Sequence, residues 1–280
     1  MIFSNYHTHT FFSDGKRTPK DYCFKAMELG FHSLGFSDHA PVLFPNKFSI
    51  DPNEFENYIN ALEKVRTEFA EDLKVYISIE ADYIPGYTHP FDYFREKAKL
   101  DYIIGSIHLV YQQQKEKVWF IDGGEQKVWD EGLKEVFDGD IKKGVTAFYE
   151  QTMEMIETQK PEVVGHLDKI KMHNKNRFFN QTDAWYKNMV EETLLTIKNN
   201  NAVLEVNTRG LYKGRCVELF PSKDILLKAQ KLGIPIMLSS DAHHPDELNG
   251  KFETAIMFLQ KIGIGELYEF HSGNWKAQLI

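Results

Sequence analysis

An apolar run that ends directly at histidines decides the fold class of this chain: residues 2–9 read IFSNYHTH. The run covers residues 2–6, and His7 and His9 follow it at once. An apolar run followed at once by a side chain that can bind metal occurs six times in the chain. This repetition favours one shared metal site over six unrelated loops. The five later runs are residues 34–36 before Asp38 and His39, 75–79 before Glu80, 102–107 before His108, 163–165 before His166, and 234–238 before Asp241 and His243.

A seventh run, residues 202–206, ends at Asn207 and carries no ligand at its end. Helical patterns fall between the runs: Thr18 precedes Pro19 at the start of one helix, and Gly233 follows the end of another. This alternation predicts a seven-stranded parallel α/β barrel, in which the carboxyl ends of the strands form one face. The last helix is expected after Pro245, with a short tail to the end of the chain.

The bulk properties are those of one globular domain. The 280 residues fit a single barrel domain, 1–280, and 42% hydrophobic with 26% charged residues is an ordinary composition for a soluble protein. A net charge of −8 argues against a nucleic-acid partner, and the two cysteines suggest free thiols. Since no apolar run could span a bilayer and no charged leader is seen, we expect a cytoplasmic protein without a membrane partner. The oligomeric state stays open.

One connection is much longer than the others. It covers residues 110–142, directly after the run that ends at His108, and it holds Trp119 and Trp129 among many charged residues. A connection of this length is usually functional or an inserted subdomain. We therefore predict that this segment forms a wall or lid over the site.

Motifs spread over nearly the whole chain point to one family. They are HTHT at 7–10, SDH at 37–39, Glu80, His108, GHLD at 165–168 and SDAH at 240–243. Together they resemble the polymerase and histidinol phosphatase (PHP) family. FSDGK at 12–16 and GFSDHAP at 35–41 are similar to its monofunctional histidinol-phosphate phosphatase branch.

That resemblance implies a distorted seven-stranded (β/α)7 TIM-like barrel with a three-metal centre at the C-terminal ends of the strands. Some relatives have a histidine where Asp14 stands, and the aspartate keeps the number of donors while adding negative charge. By the resemblance, the first ion would be held by His7, His9, Glu80 and Asp241, the second by Glu80, His108 and His166, and the third by Asp14, His39 and His243.

The residue types agree with that expectation. Imidazole and carboxylate donors together suit Zn, Mn or Fe, so the three ions that the resemblance implies are expected to be of these kinds, alike or mixed. Clustered divalent ions stabilise the charge that develops on phosphate oxygens, and an arginine fork suits phosphate. Asp38 and Asp168 are expected to orient ligand histidines. The predicted catalytic residues are Glu80, Asp241, His243 and Arg209, and the predicted substrate contacts are Arg17, Asn207, Arg209 and His244, the last as a proton donor.

The leading functional hypothesis is a histidinol-phosphatase that hydrolyses L-histidinol phosphate to L-histidinol and phosphate in histidine biosynthesis. A PHP phosphoesterase for another small phosphate, such as a nucleotide or a phosphopeptide, is the first alternative. A noncatalytic or proofreading module of a polymerase is the second; the acidic balance and the lack of a polymerase-like extension argue against it. A metal-dependent amidohydrolase also suits histidines at strand ends, but it leaves Asp14, His39 and the arginines unused.

Overall fold

A computed structural model describes residues 4–280, so residues 2 and 3 of the predicted first strand lie outside the described residues. Strands and helices alternate along most of the chain. The strands are β1 (Ser4–Asn5), β2 (Ser33–Phe36), β3 (Lys74–Asp82), β4 (Tyr102–Ser106), β5 (Leu109–Gln112), β6 (Lys117–Phe120), β7 (Val163–Val164), β8 (Val203–Asn207), β9 (Ile236–Ser239), β10 (Glu266–His271) and β11 (Asn274–Leu279). The helices are α1 (Pro19–Glu28), α2 (Phe55–Glu68), α3 (Phe91–Lys97), α4 (Gln126–Phe137), α5 (Ile141–Gln159), α6 (Ala184–Asn199), α7 (Arg209–Tyr212), α8 (Lys223–Leu232) and α9 (Phe252–Lys261).

Seven parallel strands form one sheet in the order β1-β2-β3-β4-β7-β8-β9. In the middle of this sheet Glu80 of β3 pairs with Ile104 of β4. Its two edges meet just beyond the strand ends, where Thr8 forms a parallel bridge with Ala242 and the His9 amide donates to the Ala242 carbonyl oxygen at 2.8 Å. This contact nearly closes the sheet, so the predicted seven-stranded (β/α) barrel is confirmed.

The helices surround the sheet, and local sequence sets their ends. At the start of α1 the Thr18 side chain accepts from the Asp21 amide, the Asp21 side chain accepts from the Thr18 amide, and Pro19 occupies the first turn. At the end of α8, Gly233 adopts a left-handed conformation with φ 66°, which glycine tolerates without strain. Both boundaries agree with the prediction. Within residues 4–280, no helix is both long enough and apolar enough to cross a membrane.

The long connection after β4 is an ordered layer rather than an irregular loop. β5 and β6 pair as an antiparallel hairpin, and α4 packs against β6. Trp119 and Trp129 are fully buried in this layer, with ring centroids 4.8 Å apart. Gly132 permits the packing because a Cβ there would lie 2.4 Å from Trp119 Cδ1. The end of β6 and the segment that follows it reach the carboxyl end of the barrel, where Phe120 and Asp122 line a cavity described below.

The C-terminal part of the chain differs from the prediction. A short 3-10 turn follows Pro245, and the last helix begins only at Phe252. The expected tail is instead the antiparallel hairpin β10–β11, which closes the amino end of the barrel. Phe270 and Trp275 of this hairpin lie with ring centroids 5.5 and 5.6 Å from that of Tyr102, the first residue of β4. Aromatic packing therefore fills this end of the barrel, whereas the polar ligands occupy the other.

Candidate metal centre

The predicted ligand side chains meet at the carboxyl end of the barrel. The loop that follows β1 carries Asp14, whose side chain is 34% exposed, and the other eight ligand side chains are at most 12% exposed. Three sets of donors are close enough to hold an ion, with ligand atoms within 4.8 Å of one another. These sets are His7, His9 and Asp241; His39, Glu80 and His108; and His9, Asp14, His39 and His243.

Glu80 lies at the centre, with one carboxylate oxygen facing each of two imidazole groups. Its Oε2 is 3.3 Å from His7 Nε2, 3.5 Å from His9 Nε2 and 3.1 Å from His39 Nδ1. Its Oε1 is 2.9 Å from His166 Nε2 and 3.6 Å from His108 Nε2. A carboxylate that bridges two metal ions requires this two-sided arrangement.

A third group of donors adjoins the first through shared histidines. Asp14 Oδ1 is 3.1 Å from His243 Nε2, 3.9 Å from His39 Nε2 and 4.0 Å from His9 Nδ1. The other nitrogen of His9, Nε2, is 3.4 Å from Asp241 Oδ1. The rings of His9 and His39 therefore stand between neighbouring groups, and Asp14 closes the group nearest to solvent.

The spacing and the unpartnered atoms suit divalent ions. Nitrogen ligands about 2.0–2.1 Å from a tetrahedral ion stand roughly 3.3 Å apart, and His108 Nε2 is 3.2 Å from His166 Nε2. A buried polar atom without a partner costs about 1–3 kcal/mol, and bound cations would satisfy several such atoms at once. The buried atoms without a hydrogen-bond partner among residues 4–280 include His7 Nε2, His9 Nδ1 and Nε2, Asp14 Oδ1, His39 Nδ1 and Glu80 Oε2.

The charges of the cluster favour the metal-binding protonation states of Glu80 and His9, whereas nearby carboxylates, Glu205 and Asp82 foremost, outweigh burial and raise the pKa of His7 and His108, so metal binding there must displace a proton. Burial raises the pKa of Glu80, but the surrounding imidazoles, His7 foremost, outweigh burial and hold that pKa well below its usual range. Burial lowers the pKa of His9 well below its usual range, and His243 lowers it further. Glu80 is therefore ionised and His9 neutral near pH 7, the forms in which a carboxylate and an imidazole bind metal.

Two carboxylates behind the ligands were not predicted. Glu205 of β8 has its Oε1 2.5 Å from His7 Nδ1, and its Oε2 accepts from the His166 amide at 2.6 Å. Asp82 at the end of β3 has its Oδ1 3.0 Å from His108 Nδ1. A carboxylate on the far ring nitrogen orients an imidazole and makes it a stronger ligand. The signal that could have found Glu205 is a lone acidic residue inside an apolar strand run.

Asp38 and Asp168 do not orient ligand histidines, so that expectation is wrong. Asp38 accepts from the Thr10 amide at 2.7 Å and from the Ser13 hydroxyl at 2.6 Å, which fastens the loop after β1. Asp168 accepts from Lys171 Nζ at 2.8 Å, a buried ion pair. Within residues 4–280, the hydrogen-bond partners of these two carboxylates include no ligand histidine.

A cavity of about 190 Å³ opens onto the ligands. Apart from the ligands, the charged residues that line this cavity are Lys169, Arg209, Arg215 and Asp122. Three of these four side chains are cationic, so this part of the wall carries a net positive charge. Arg209 donates to the Asp241 carbonyl oxygen at 2.6 Å, and Lys169 Nζ is 2.9 Å from Asp122 Oδ2. Guanidinium and ammonium groups beside a metal cluster suit a small anionic substrate such as a phosphate ester.

Three predicted substrate contacts are not among the described residues that line the cavity. Arg17 is exposed, and it is not one of the described residues that line the cavity, because the loop after β1 turns this side chain toward solvent. Asn207 is fully buried and donates to Asp241 Oδ2 at 3.2 Å, so it supports a ligand. His244 accepts from the Asp246 amide at 3.3 Å and caps the turn after it. Arg209 does line the cavity, and its contact with phosphate stays a prediction.

The PHP domain model matches residues 5–209, which is more than half of the chain. This chain belongs to the PHP domain family. The matched range contains seven of the nine candidate ligands, whereas Asp241 and His243 of this PHP protein lie beyond it. The family predicted from the motifs is therefore confirmed.

Among proteins similar to this PHP chain is the Schizosaccharomyces pombe protein named "Probable histidinol-phosphatase", 23% identical over 286 residues, covering 97% of this chain and 90% of that protein. A solved structure from Listeria monocytogenes has a TM-score of 0.77 and 24% identity, covering 90% of this chain and 99% of that one. The Lactococcus lactis histidinol phosphate phosphatase, complexed with Zn, L-histidinol and phosphate, has a TM-score of 0.67 and 23% identity, covering 98% of each chain. These two structures share the barrel fold of this chain.

Proposed function

We propose that this protein is a metal-dependent phosphomonoesterase that hydrolyses L-histidinol phosphate to L-histidinol and phosphate, as a histidinol-phosphatase of histidine biosynthesis. One observation carries the proposal: a buried set of metal-binding side chains faces a small cavity whose outer polar wall is cationic. The relatives support the choice of substrate. The S. pombe protein bears the histidinol-phosphatase name, and the L. lactis enzyme was solved with zinc, L-histidinol and phosphate. Residues 1–280 are proposed to act as one domain.

The proposed centre takes three divalent ions, drawn from Zn, Mn and Fe. The two-sided position of Glu80 supports its role as the bridge between the first two ions. The position of Asp14 beside His39 and His243 supports a third ion at the mouth of the cavity. The proposed ligands are His7, His9, Glu80 and Asp241 for the first ion, Glu80, His108 and His166 for the second, and Asp14, His39 and His243 for the third.

When bound, the ions supply Lewis-acid stabilisation of the phosphate oxygens and lower the pKa of water. The protein positions the ester against them. Arg209 and Lys169 are proposed to hold the phosphate oxygens that do not take part in bond cleavage, because both line the cavity beside Asp241. The ion pair with Asp122 holds the Lys169 side chain at the cavity. Phe48 and Phe120 form the apolar part of the wall. A bound ester would displace water from this small cavity, which would strengthen these charge interactions.

The experiment that tests the proposal is a substrate panel on protein loaded separately with Zn, Mn and Fe. Released phosphate is measured for L-histidinol phosphate, a nucleoside monophosphate and a tyrosine-phosphorylated peptide. We expect kcat/KM for L-histidinol phosphate to exceed the others by about a hundredfold, since polar recognition of the substrate's free end rejects analogues strongly. The control is the Glu80→Gln variant, which should be inactive on all three.

Other outcomes would replace the proposal by a named alternative. Preference for the nucleotide or the phosphopeptide would assign the protein to another PHP phosphoesterase. Absence of hydrolysis with every metal, in protein that binds metal and is folded, would indicate a noncatalytic module.

A further inference from the structure

A second group of metal-binding side chains lies at the opposite end of the barrel. His32 directly precedes the amino end of β2, whereas His39 of the proposed active centre follows its carboxyl end. Glu269 and His271 alternate along β10 and therefore share one face of that strand. One ligand atom from each of His32, Glu269 and His271 lies within 4.8 Å of the other two.

Both imidazoles approach the same carboxylate oxygen. His32 Nε2 is 3.3 Å and His271 Nε2 is 3.6 Å from Glu269 Oε2, and the two rings are nearly parallel, at 7°. The other oxygen, Oε1, accepts from the Ser4 hydroxyl at 2.7 Å and is already satisfied. These separations resemble the roughly 3.3 Å between ligands of a tetrahedral zinc ion.

A simple ion pair leaves part of this group unsatisfied. Glu269 is 5% exposed, and no lysine or arginine among residues 4–280 lies within 4.0 Å of its carboxylate. His271 Nε2 is buried and has no hydrogen-bond partner in the described part of the chain. One protonated imidazole could neutralise Glu269, but the second ring nitrogen would then stay unpartnered. A single divalent cation would satisfy all three atoms.

We propose that His32, Glu269 and His271 bind a zinc ion that joins the C-terminal hairpin to the amino end of the barrel. Two imidazoles and one carboxylate are a ligand set that zinc accepts, with water in the fourth position. His32 is 48% exposed, so the fourth position is open to solvent. Because β10 and β11 close this end of the barrel, the ion stabilises the fold and takes no part in the reaction at the other end.

The first test uses the full chain with His32→Ala and His271→Ala combined. The control is His89→Ala, which removes another surface histidine, stacked on Tyr93 and outside both metal groups. After equilibration with excess zinc and removal of unbound metal, elemental analysis should show about one zinc equivalent less in the double variant than in the wild type and the control. The rise in unfolding temperature that added zinc causes should shrink in the double variant, and phosphatase activity should stay at the wild-type level.

The second test uses the wild type, so it does not depend on how the variant folds. Diethyl pyrocarbonate modifies exposed imidazoles, and peptide mass spectrometry measures the extent at His32 and His89. Zinc should slow modification of His32 several-fold and leave His89 unchanged. Equal zinc content in the double variant and the wild type, or modification of His32 at the same rate with and without zinc, would overturn the proposal.

Discussion

Among single residues, Glu80 has the strongest claim to an essential role, because its two oxygens face two separate imidazole groups. Glu80→Gln replaces one of these oxygens by an amide that cannot bridge two cations. We expect turnover to fall by about 10³-fold or more and the bound metal to decrease. Steady-state kinetics and elemental analysis measure both effects. Glu253→Gln, on the exposed face of α9, is the matched control, and near-normal turnover with full metal content in Glu80→Gln would show the bridging role to be wrong.

Asp14 tests the number of ions. Its carboxylate lies nearest to His243 and His39 and on the solvent side of the group. Asp14→Asn should therefore release one ion while two remain, and activity should fall. Elemental analysis of protein purified under identical conditions distinguishes this result from loss of the whole centre. Unchanged metal content together with unchanged turnover would contradict a third ion held by Asp14.

Arg209 is proposed to contact the phosphate, and substitutions test this role. Besides lining the cavity, it donates to the Asp241 carbonyl oxygen and approaches His243 Nδ1 at 2.7 Å. Arg209→Ala should weaken inhibition by inorganic phosphate about tenfold or more, and Arg209→Lys should recover only part of it because lysine lacks the planar fork. The matched control is Arg17→Ala, which removes an exposed arginine and should inhibit like the wild type. Unaltered phosphate inhibition in Arg209→Ala would remove Arg209 from the substrate site.

At the level of elements, the β10–β11 hairpin is expected to stabilise the fold through aromatic packing at the amino end of the barrel. The Trp275 ring packs against Tyr6 and Phe270 with centroid distances of 5.3 and 5.2 Å. Trp275→Ala should lower the free energy of unfolding by about 2–4 kcal/mol, measured by urea denaturation, because it opens a cavity under the barrel. Leu279→Ala in the same hairpin is the control, since Leu279 is 86% exposed. At temperatures where the variant is folded, kcat should match the wild type; a stability equal to that of the control would contradict the role of this packing.

The position of the layer formed by β5, β6 and α4 was predictable from the sequence, but its internal structure was not. Its length and position after a ligand strand predicted a wall over the site, and Phe120 and Asp122 do line the cavity. Its internal order did not follow from the sequence, because the two tryptophans that hold it together pack through contacts between a strand and a helix. Whether this layer moves as a lid stays a prediction.

For the whole molecule, metal binding and stability should be coupled. Without cations, the carboxyl end of the barrel contains Glu80, Asp241 and Glu205 buried at no more than 3% exposure beside unpartnered imidazole nitrogens. Removal of the metals with a chelator should lower the unfolding temperature by about 5 °C or more, and added zinc or manganese should restore it. Differential scanning calorimetry measures the change. An identical unfolding temperature before and after verified metal removal would show that the cluster does not need cations for stability.

The sequence by itself determined the barrel and pointed to the candidate ligands. The barrel follows from local order, because apolar runs of strand length alternate with capped helices. A donor such as His7, His108 or His166 stands at the end of six of the seven runs, whereas Asp14, in the loop after the first run, was identified by the resemblance to the PHP family. Since parallel strands end on one face, this one-dimensional pattern already implies that the donors meet. The structure brings them together with spacings that suit divalent ions.

Only the tertiary structure decided which neighbouring side chains support those ligands and which cationic side chains line the cavity. Glu205 reaches His7 across the barrel, and Lys169 enters the cavity whereas Arg17 does not. The same is true of the C-terminal hairpin, which brings Glu269 to His32. These contacts join residues far apart in the chain, and their geometry depends on loop direction and side-chain packing. Sequence spacing does not determine loop direction or side-chain packing. The ligands at the strand ends are therefore predictable, whereas the residues that contact those ligands from behind are not.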